Sequence, residues 1–470
     1  MSMTLASRFH LVWVFSRINH CGDIPMYRLL RAVIVLACIA GQALPLTAGE
    51  QADRFKKDAE RLHKAIMNDN ELWPLMAEFC DMYPKRLGGS ENLERGLDWI
   101  IDRMTKEGWK VRTQHTMVPN WKRGPESLVM NAPIKRSMPV LGLGGNVGTN
   151  GKPLTAKVLV VKSFDELKRR QAEAKGRIVV WNVEFTTYGP TVAYRYNGAS
   201  EAARYGAVAS LVRSVGPYGI QTPHTGGMGY NDSLPKIASA AITIEDALLL
   251  QRMQDRGQET ELTLTMEAHW EPDAPSRNVI IEIPGRELPN EVVVMGGHID
   301  SWDVGTGAMD DAGGCFITWR ALVHMRNLGF VPKRTIRVCF WTNEENGLRG
   351  GITYADSTKN EKHFMAMESD GGTFKPVGFS LSAQGELRKK LEDVSSLLDV
   401  VGASSLRDGN GGADTSPLHA RGVEVMELVT EGNYFWYHHT DGDTPDKLVP
   451  REMQECAYSM AVMAWACANM

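Results

Sequence analysis

Three apolar runs in the second half of the chain, at 292–295, 336–341 and 364–367, each lead within a few residues into a histidine or a carboxylate. They continue as Gly296-Gly-His298-Ile-Asp300, Thr342-Asn-Glu344-Glu345 and Glu368-Ser-Asp370. Short apolar runs of this kind read as buried strands, and the helical patterns between them predict an α/β fold with parallel strands. In such open sheets the loops above the C-terminal strand ends converge, and ligands bind there. Three strands delivering polar groups to one edge therefore predict a site at that edge.

The spacing predicts strands at 278–283, 291–295, 335–341 and 364–368, and helices at 312–328 and 348–356. The stretch 52–105 is rich in helix formers; Ser90 is placed to cap a helix whose one face carries Leu93, Leu97, Ile100, Ile101 and Met104. A strand is expected at 109–114. From about 138 to 269 the texture changes to glycine-rich turns between short β-branched runs at 156–161, 176–181, 207–212 and 237–242, which predicts a separate, smaller domain.

Arg28 and Arg31 precede a short apolar run at 32–40, followed by Leu46-Thr-Ala48. The run is too short to span a bilayer and reads as a signal peptide, so export to the periplasm or outside the cell is expected. Met26 stands just ahead of it, so residues 1–25 read as an upstream extension; a lipid anchor on Cys38 is the minor alternative. The organisation expected is a signal segment over 1–48, a first part of the main fold over 49–137, an inserted domain over 138–269 and the rest of the main fold over 270–470. Of the seven cysteines, five lie beyond that segment, an odd and scattered set that makes no disulfide framework. With 43% hydrophobic residues, 23% charged residues and a net charge of −4, the chain has globular composition and no basic footprint for nucleic acid or a membrane surface.

Between the first two strands lies Gly307-Ala-Met-Asp310-Asp311-Ala-Gly-Gly314, two carboxylates at a helix start. Helix capping alone accounts for such a pair about as well as chemistry does. Beside His298-Ile-Asp300 and Glu344-Glu345, however, the massed negative charge calls for a cation, and imidazole with carboxylates suits zinc. Asp300 can accept the second ring N–H of His298 or hold a neighbouring residue. Adjacent side chains in an extended segment point opposite ways, so one of Glu344 and Glu345 can face a metal and the other a water whose proton it takes. In Tyr437-His438-His439-Thr-Asp-Gly-Asp443 one histidine is expected not to be a ligand. The acidic glycine-rich loop carrying Asp408 and Asp414 reads by itself as a surface turn. No nucleophile elbow, phosphate loop or His-Glu-x-x-His helix is present.

Together Gly297-His-Ile-Asp-Ser-Trp-Asp303, Gly307-Ala-Met-Asp-Asp311, Trp341-Thr-Asn-Glu-Glu345, Met367-Glu-Ser-Asp370 and His439-Thr-Asp-Gly-Asp-Thr444 resemble family twenty-eight of the metallopeptidases, the co-catalytic zinc aminopeptidases and glutamate carboxypeptidases. The resemblance covers nearly all of the chain after the signal segment. It implies a mixed α/β peptidase sheet flanked by helices, with a protease-associated α/β domain inserted. It implies two Zn2+ ions, Asp310 bridging them, His298 and Asp370 completing one and Glu345 and His439 the other, with Glu344 as general base. Asp300 and Asp443 would support these groups; Tyr437, His438 and Asp414 are the candidates for oxyanion or substrate contact. The activity implied is exopeptidase action on dipeptides or short peptides with free termini, with an aminopeptidase for longer peptides and a non-catalytic binding protein as alternatives, and a homodimer is expected. Asp311 stands where many relatives carry Asn, and Ala-Gly-Gly follows where many carry Ala-Ser-Gly.

Overall fold

The computed structural model describes residues 49–470, which form one compact unit. The expected signal segment, with Cys21 and Cys38, lies outside the described residues. The unit is built on two eight-stranded mixed sheets. The first has the order Arg112–Lys122, His269–Ile283, Arg334–Trp341, Leu288–His298, Lys362–Glu368, Val425–Glu431, Lys375–Leu381, Ser405–Asp408. Its four middle strands, from Arg334–Trp341 to Val425–Glu431, run parallel.

Alternation along these strands explains the layers. Val293 and Met295 face a core shared with helices Glu50–Ile66, Leu72–Met82, Glu91–Lys106, Gly313–Asn327 and Pro450–Asn469. Val292 and Val294 face the opposite side, where Tyr354 and Ala355 of helix Arg349–Ser357 cover them. Strand side chains have period two, so each middle strand must be apolar throughout to satisfy both faces. Helix Glu91–Lys106 starts on Ser90, whose hydroxyl accepts the Leu93 N–H at 3.2 Å. The C-terminal helix Pro450–Asn469 is buried along most of its length, and all five described cysteines are free and buried.

The second sheet has the order Arg136–Met138, Glu126–Ala132, Glu261–Met266, Leu154–Val161, Ile178–Trp181, Ala209–Arg213, Ala238–Ile242, Val140–Gly142. Its two outermost strands at one end, Arg136–Met138 and Glu126–Ala132, lie almost wholly ahead of the expected start at 138 and pair within it nonetheless. The chain enters and leaves this sheet along one antiparallel ribbon, Arg112–Lys122 against His269–Ile283, paired from Arg112↔Ile280 to Lys122↔His269 with one register shift between Val118 and Asn120. The strand expected to end at 114 thus runs on to Lys122. No described helix is long and apolar enough to cross a membrane.

Candidate active site and metal centre

The parallel strands deliver their ends as the spacing requires. Leu288–His298 closes on Gly296-Gly297-His298, where glycines are needed: a Cβ on Gly296 would strike the Cys339 carbonyl, and one on Gly297 the Asp311 carboxylate. His298 is 1% exposed. Its Nδ1 lies 3.0 Å from the Asp300 carbonyl, which can only accept, so Nδ1 carries a proton and Nε2 is the ring atom turned to the acids. That Nε2 is 3.1 Å from Asp370 Oδ1 and 3.2 Å from Asp310 Oδ1. Burial pulls the His298 pKa down, but Asp370, Asp300 and Asp310 outweigh it and hold the ring well above its usual value. The point between one imidazole and two carboxylates is a place for positive charge.

Asp310 reaches both ways. Its Oδ2 lies 3.3 Å from His439 Nε2, which is 3.2 Å from Glu345 Oε2. Asp310 Oδ2 and Glu345 Oε1 are buried and make no aligned hydrogen bond. Three sets of donor atoms close enough to share an ion occur among the described residues: His298, Asp310 and Glu345; His298, Asp311 and Asp370; Asp310, His438 and His439. Nitrogen and oxygen donors, one carboxylate common to two sets and orphaned buried oxygens fit zinc.

The neighbouring residues hold these groups in place through backbone bonds. The Asp300 carboxylate accepts the N–H groups of Glu344 at 3.0 Å and Glu345 at 3.2 Å, while its carbonyl rather than its carboxylate takes the His298 ring proton. Asp311 accepts the N–H groups of His298 at 3.1 Å and Gly314 at 3.0 Å, so both of its oxygens are engaged in capping and bracing. Asp443 accepts the N–H groups of Ala308 at 2.9 Å and Met309 at 2.8 Å, which shapes the bend that carries Asp310. Burial and the nearby Asp310 charge push the Asp443 carboxyl up to about 7.

Two supports carry no sequence signal. Arg86 is fully buried and donates to the carbonyls of Ile299 (2.9 Å), Thr306 (2.6 Å), Gly307 (2.9 Å) and Tyr83 (3.0 Å), pinning the loops on either side of Asp300 and Asp310. Thr225, from the second-sheet part of the chain, donates its N–H to the His439 carbonyl at 3.0 Å and accepts from His439 Nδ1 at 3.2 Å. That bond fixes the His439 tautomer with Nε2 toward Glu345. It also holds His439 at φ 61°, a left-handed backbone that a histidine adopts at a cost of about 1–3 kcal/mol.

A cleft of ≈ 620 Å³ opens over this centre between the two sheets. Glu344, Glu345, Asp310, Asp370, His438 and His439 line it from loops of the first sheet's side, Tyr188, Arg195 and Tyr196 from helix Tyr188–Arg204 on the second sheet's side. Burial above all, with Asp370, Asp300 and Asp310 adding to it and His298 opposing, pushes the Glu344 carboxyl up to about 8. His438 stacks on His439 with ring centroids 3.5 Å apart, and its Nε2 is 3.7 Å from Asp310 Oδ2 against 3.3 Å for His439. Burial and the neighbouring His439 hold the His438 ring well below its usual pKa, as a neutral side chain on the cleft wall. Tyr437 departs from its expected place: it is absent from the cleft lining, with the Lys447 ammonium 5.4 Å over its ring, and Tyr434 lines the wall instead. The reason is the single short turn Tyr434–Tyr437, which turns its first and last residues to different surroundings. Asp414 is also misplaced by its sequence context. The loop is not an exposed turn there; the side chain is buried with both oxygens unpartnered, and burial with the Glu368 charge raises its pKa well above the usual value. Arg195, 5% exposed, donates to the Tyr188 hydroxyl at 2.9 Å and stands 3.5 Å from His439 Nδ1.

Residues 278–464 match the model of Peptidase family M28. Carboxypeptidase Q of Xenopus laevis is 43% identical over 405 residues, which covers 85% of this chain and 86% of that protein. The crystal structure of a peptidase M28 precursor from Shewanella amazonensis superposes with a TM-score of 0.86 at 32% identity, covering 89% of this chain and 98% of that one. A zinc aminopeptidase from Bacillus subtilis shares the fold at 18% identity, with a TM-score of 0.63 over 87% of this chain and 95% of that one. Identity of this extent along most of both chains places the protein in peptidase family M28.

Proposed function

We propose that the protein is an exported exopeptidase that hydrolyses dipeptides or short peptides with free termini, and that it works with two zinc ions. The observation that carries this reading is that Asp310 meets His298 through one carboxylate oxygen and His439 through the other, with the Glu344 carboxylate on the cleft wall beside them. His298 and Asp370 would hold one ion, Glu345 and His439 the other, and Asp310 both. When bound, zinc acidifies water and polarises a peptide carbonyl. Glu344 would take a proton from the attacking water and return it to the leaving amine, as a carboxylate on the cleft wall can. Neutral His438, beside Asp310 on the wall, is placed to donate to the developing oxyanion. The residues from 138 to 269 would act as a protease-associated domain whose Tyr188, Arg195 and Tyr196 wall the cleft, and the similarity to carboxypeptidase Q supports the dipeptidase reading; a homodimer is the assembly proposed with it.

Glu344→Gln keeps the shape and removes the base. The variant should bind zinc at about two per chain by metal analysis and lose roughly 100- to 10,000-fold in kcat. Full activity in that variant excludes Glu344 as the base. Cleavage of long peptides as efficiently as dipeptides favours an aminopeptidase instead.

A further inference from the structure

One row of side chains crosses the first sheet away from the metal centre. Glu368, Glu427, Ser380 and Arg407 are successive Cα partners on four neighbouring strands, so their side chains share a face. Glu368, two residues before Asp370, is fully satisfied: its carboxylate accepts the N–H groups of Asp414 at 3.1 Å and Thr415 at 2.9 Å, and the Thr415 hydroxyl at 3.0 Å. Glu427 is not. It lines the cleft, and its hydrogen bond among the described residues is a long one from the Ser380 hydroxyl at 3.4 Å. No ion pair reaches it among the described residues, although Arg407 lines the same cleft two strands away, about 10 Å by strand spacing.

We infer that Glu427 holds the free α-ammonium group of the peptide, which makes it a specificity-determining residue of the exopeptidase proposed above and rests on that reading. Acids directly opposite one another on a sheet destabilise it, so an unsatisfied Glu427 beside Glu368 and near Asp370 needs a cation. Glu368, Glu427 and Asp370 disfavour a peptide carboxylate beside Glu427 itself, and Arg407 stands two strands off. The guanidinium of Arg195 stands at the other side, next to His439. An ammonium group brings three donors and no acceptor, and it matches a carboxylate whose own protein contact is a single hydroxyl. A peptide so held presents the bond after its first residue to the metal centre, and a dipeptide then lies with its two termini toward opposite charges.

The test compares a dipeptide of apolar residues with its N-acetylated form on the zinc-loaded full chain. Where the capped peptide is too slow to follow, its inhibition constant replaces its KM. Wild type should prefer the free dipeptide. Glu427→Gln should reduce that preference roughly 10- to 100-fold, mostly through KM, as loss of a charge-assisted bond requires. Glu427→Asp should restore part of it, and Ser380→Ala, which removes the bond that steers Glu427, should move the ratio in the same direction as Glu427→Gln. Equal losses on both peptides leave the ratio unchanged and overturn the assignment, as does a loss confined to peptides whose first residue is lysine. A wild-type chain that cleaves the free and capped forms equally well keeps the peptidase and refutes the ammonium site. One that cleaves neither refutes both.

Discussion

Asp69 lies far from the catalytic groups and shows what a fully paired carboxylate does in this fold. Arg320 donates to it at 2.7 and 3.1 Å and His324 lies 2.8 Å away, while the N–H groups of Glu71 (2.9 Å) and Leu72 (3.2 Å) at the next helix start bond to the same side chain. Burial alone would raise its pKa, but the bonds from His324 and Arg320 outweigh that and hold it well below the usual carboxylate range. A carboxyl whose folded pKa is depressed stabilises the fold fully above its unfolded value, near 3.9, and loses that contribution as the pH falls through the folded value. Asp69→Asn should therefore cost about 3–5 kcal/mol at neutral pH, the effect of breaking a buried pair. Urea melts from pH 7 down to pH 3 should show the gap between wild type and variant constant at first and narrowing below about pH 4. A gap that stays constant through the acid range would show that lost packing, not charge, sets the cost. At this scale the residues legible in the sequence are those whose side chains would do the proposed work, such as His298, Glu344 and Asp370. Arg86 escapes because its partners are backbone carbonyls, and Thr225 because it acts through its own backbone N–H and carbonyl, which any residue type can supply.

Helix Gly313–Asn327 shows how one element sets the position of several groups at once. Its first turn packs so closely under the strand ends that a Cβ on Gly314 would collide with the Ser369 carbonyl and with the Asp311 carboxylate. Asp311 in turn holds the His298 N–H, and Ser369 donates its own N–H to the Gly296 carbonyl at 3.0 Å. Gly314→Ala should cost about 1–3 kcal/mol, the range for an overpacked site, and should weaken zinc binding because Asp311 and the His298 backbone must shift together. Calorimetry with metal analysis checks both, and unchanged metal content alongside a lowered melting temperature would separate the helix dock from the site. The parallel strands and this helix are legible because burial on both faces leaves unbroken apolar runs. The ribbon Arg112–Lys122 is legible only to 114: most of its first half is solvent-facing on both sides, and Pro119 interrupts it where the register shifts. Lys375–Leu381 hides for a related reason, with Pro376 and Gly378 flanking its own register shift.

At the scale of the whole molecule, the cleft is assembled from two sheets that meet over a concentration of buried and half-buried acids. Asp300, Asp310, Asp311, Glu345 and Asp370 surround His298 at one sheet edge, and charges of one sign in a poorly solvated place repel each other strongly unless a cation sits among them. Zinc therefore belongs to the stability of the fold as well as to its chemistry, and a ligand that binds only the folded chain at 100 times its Kd adds about 2.7 kcal/mol. Removing it with a chelator should abolish activity and lower the melting temperature, and zinc added back should restore both. The effect should also travel. His439 is tied to Thr225 by two hydrogen bonds, so if His439 holds an ion as proposed, its loss should loosen the second-sheet segment around Thr225. Hydrogen exchange is the measurement: the Thr225 amide should exchange faster in the zinc-free chain, whereas amides of the distant strand Ile178–Trp181 should keep their protection. Thr225 protection that survives zinc removal, with activity lost, would show that the two sheets hold together without the metal and that His439 is positioned by the protein alone.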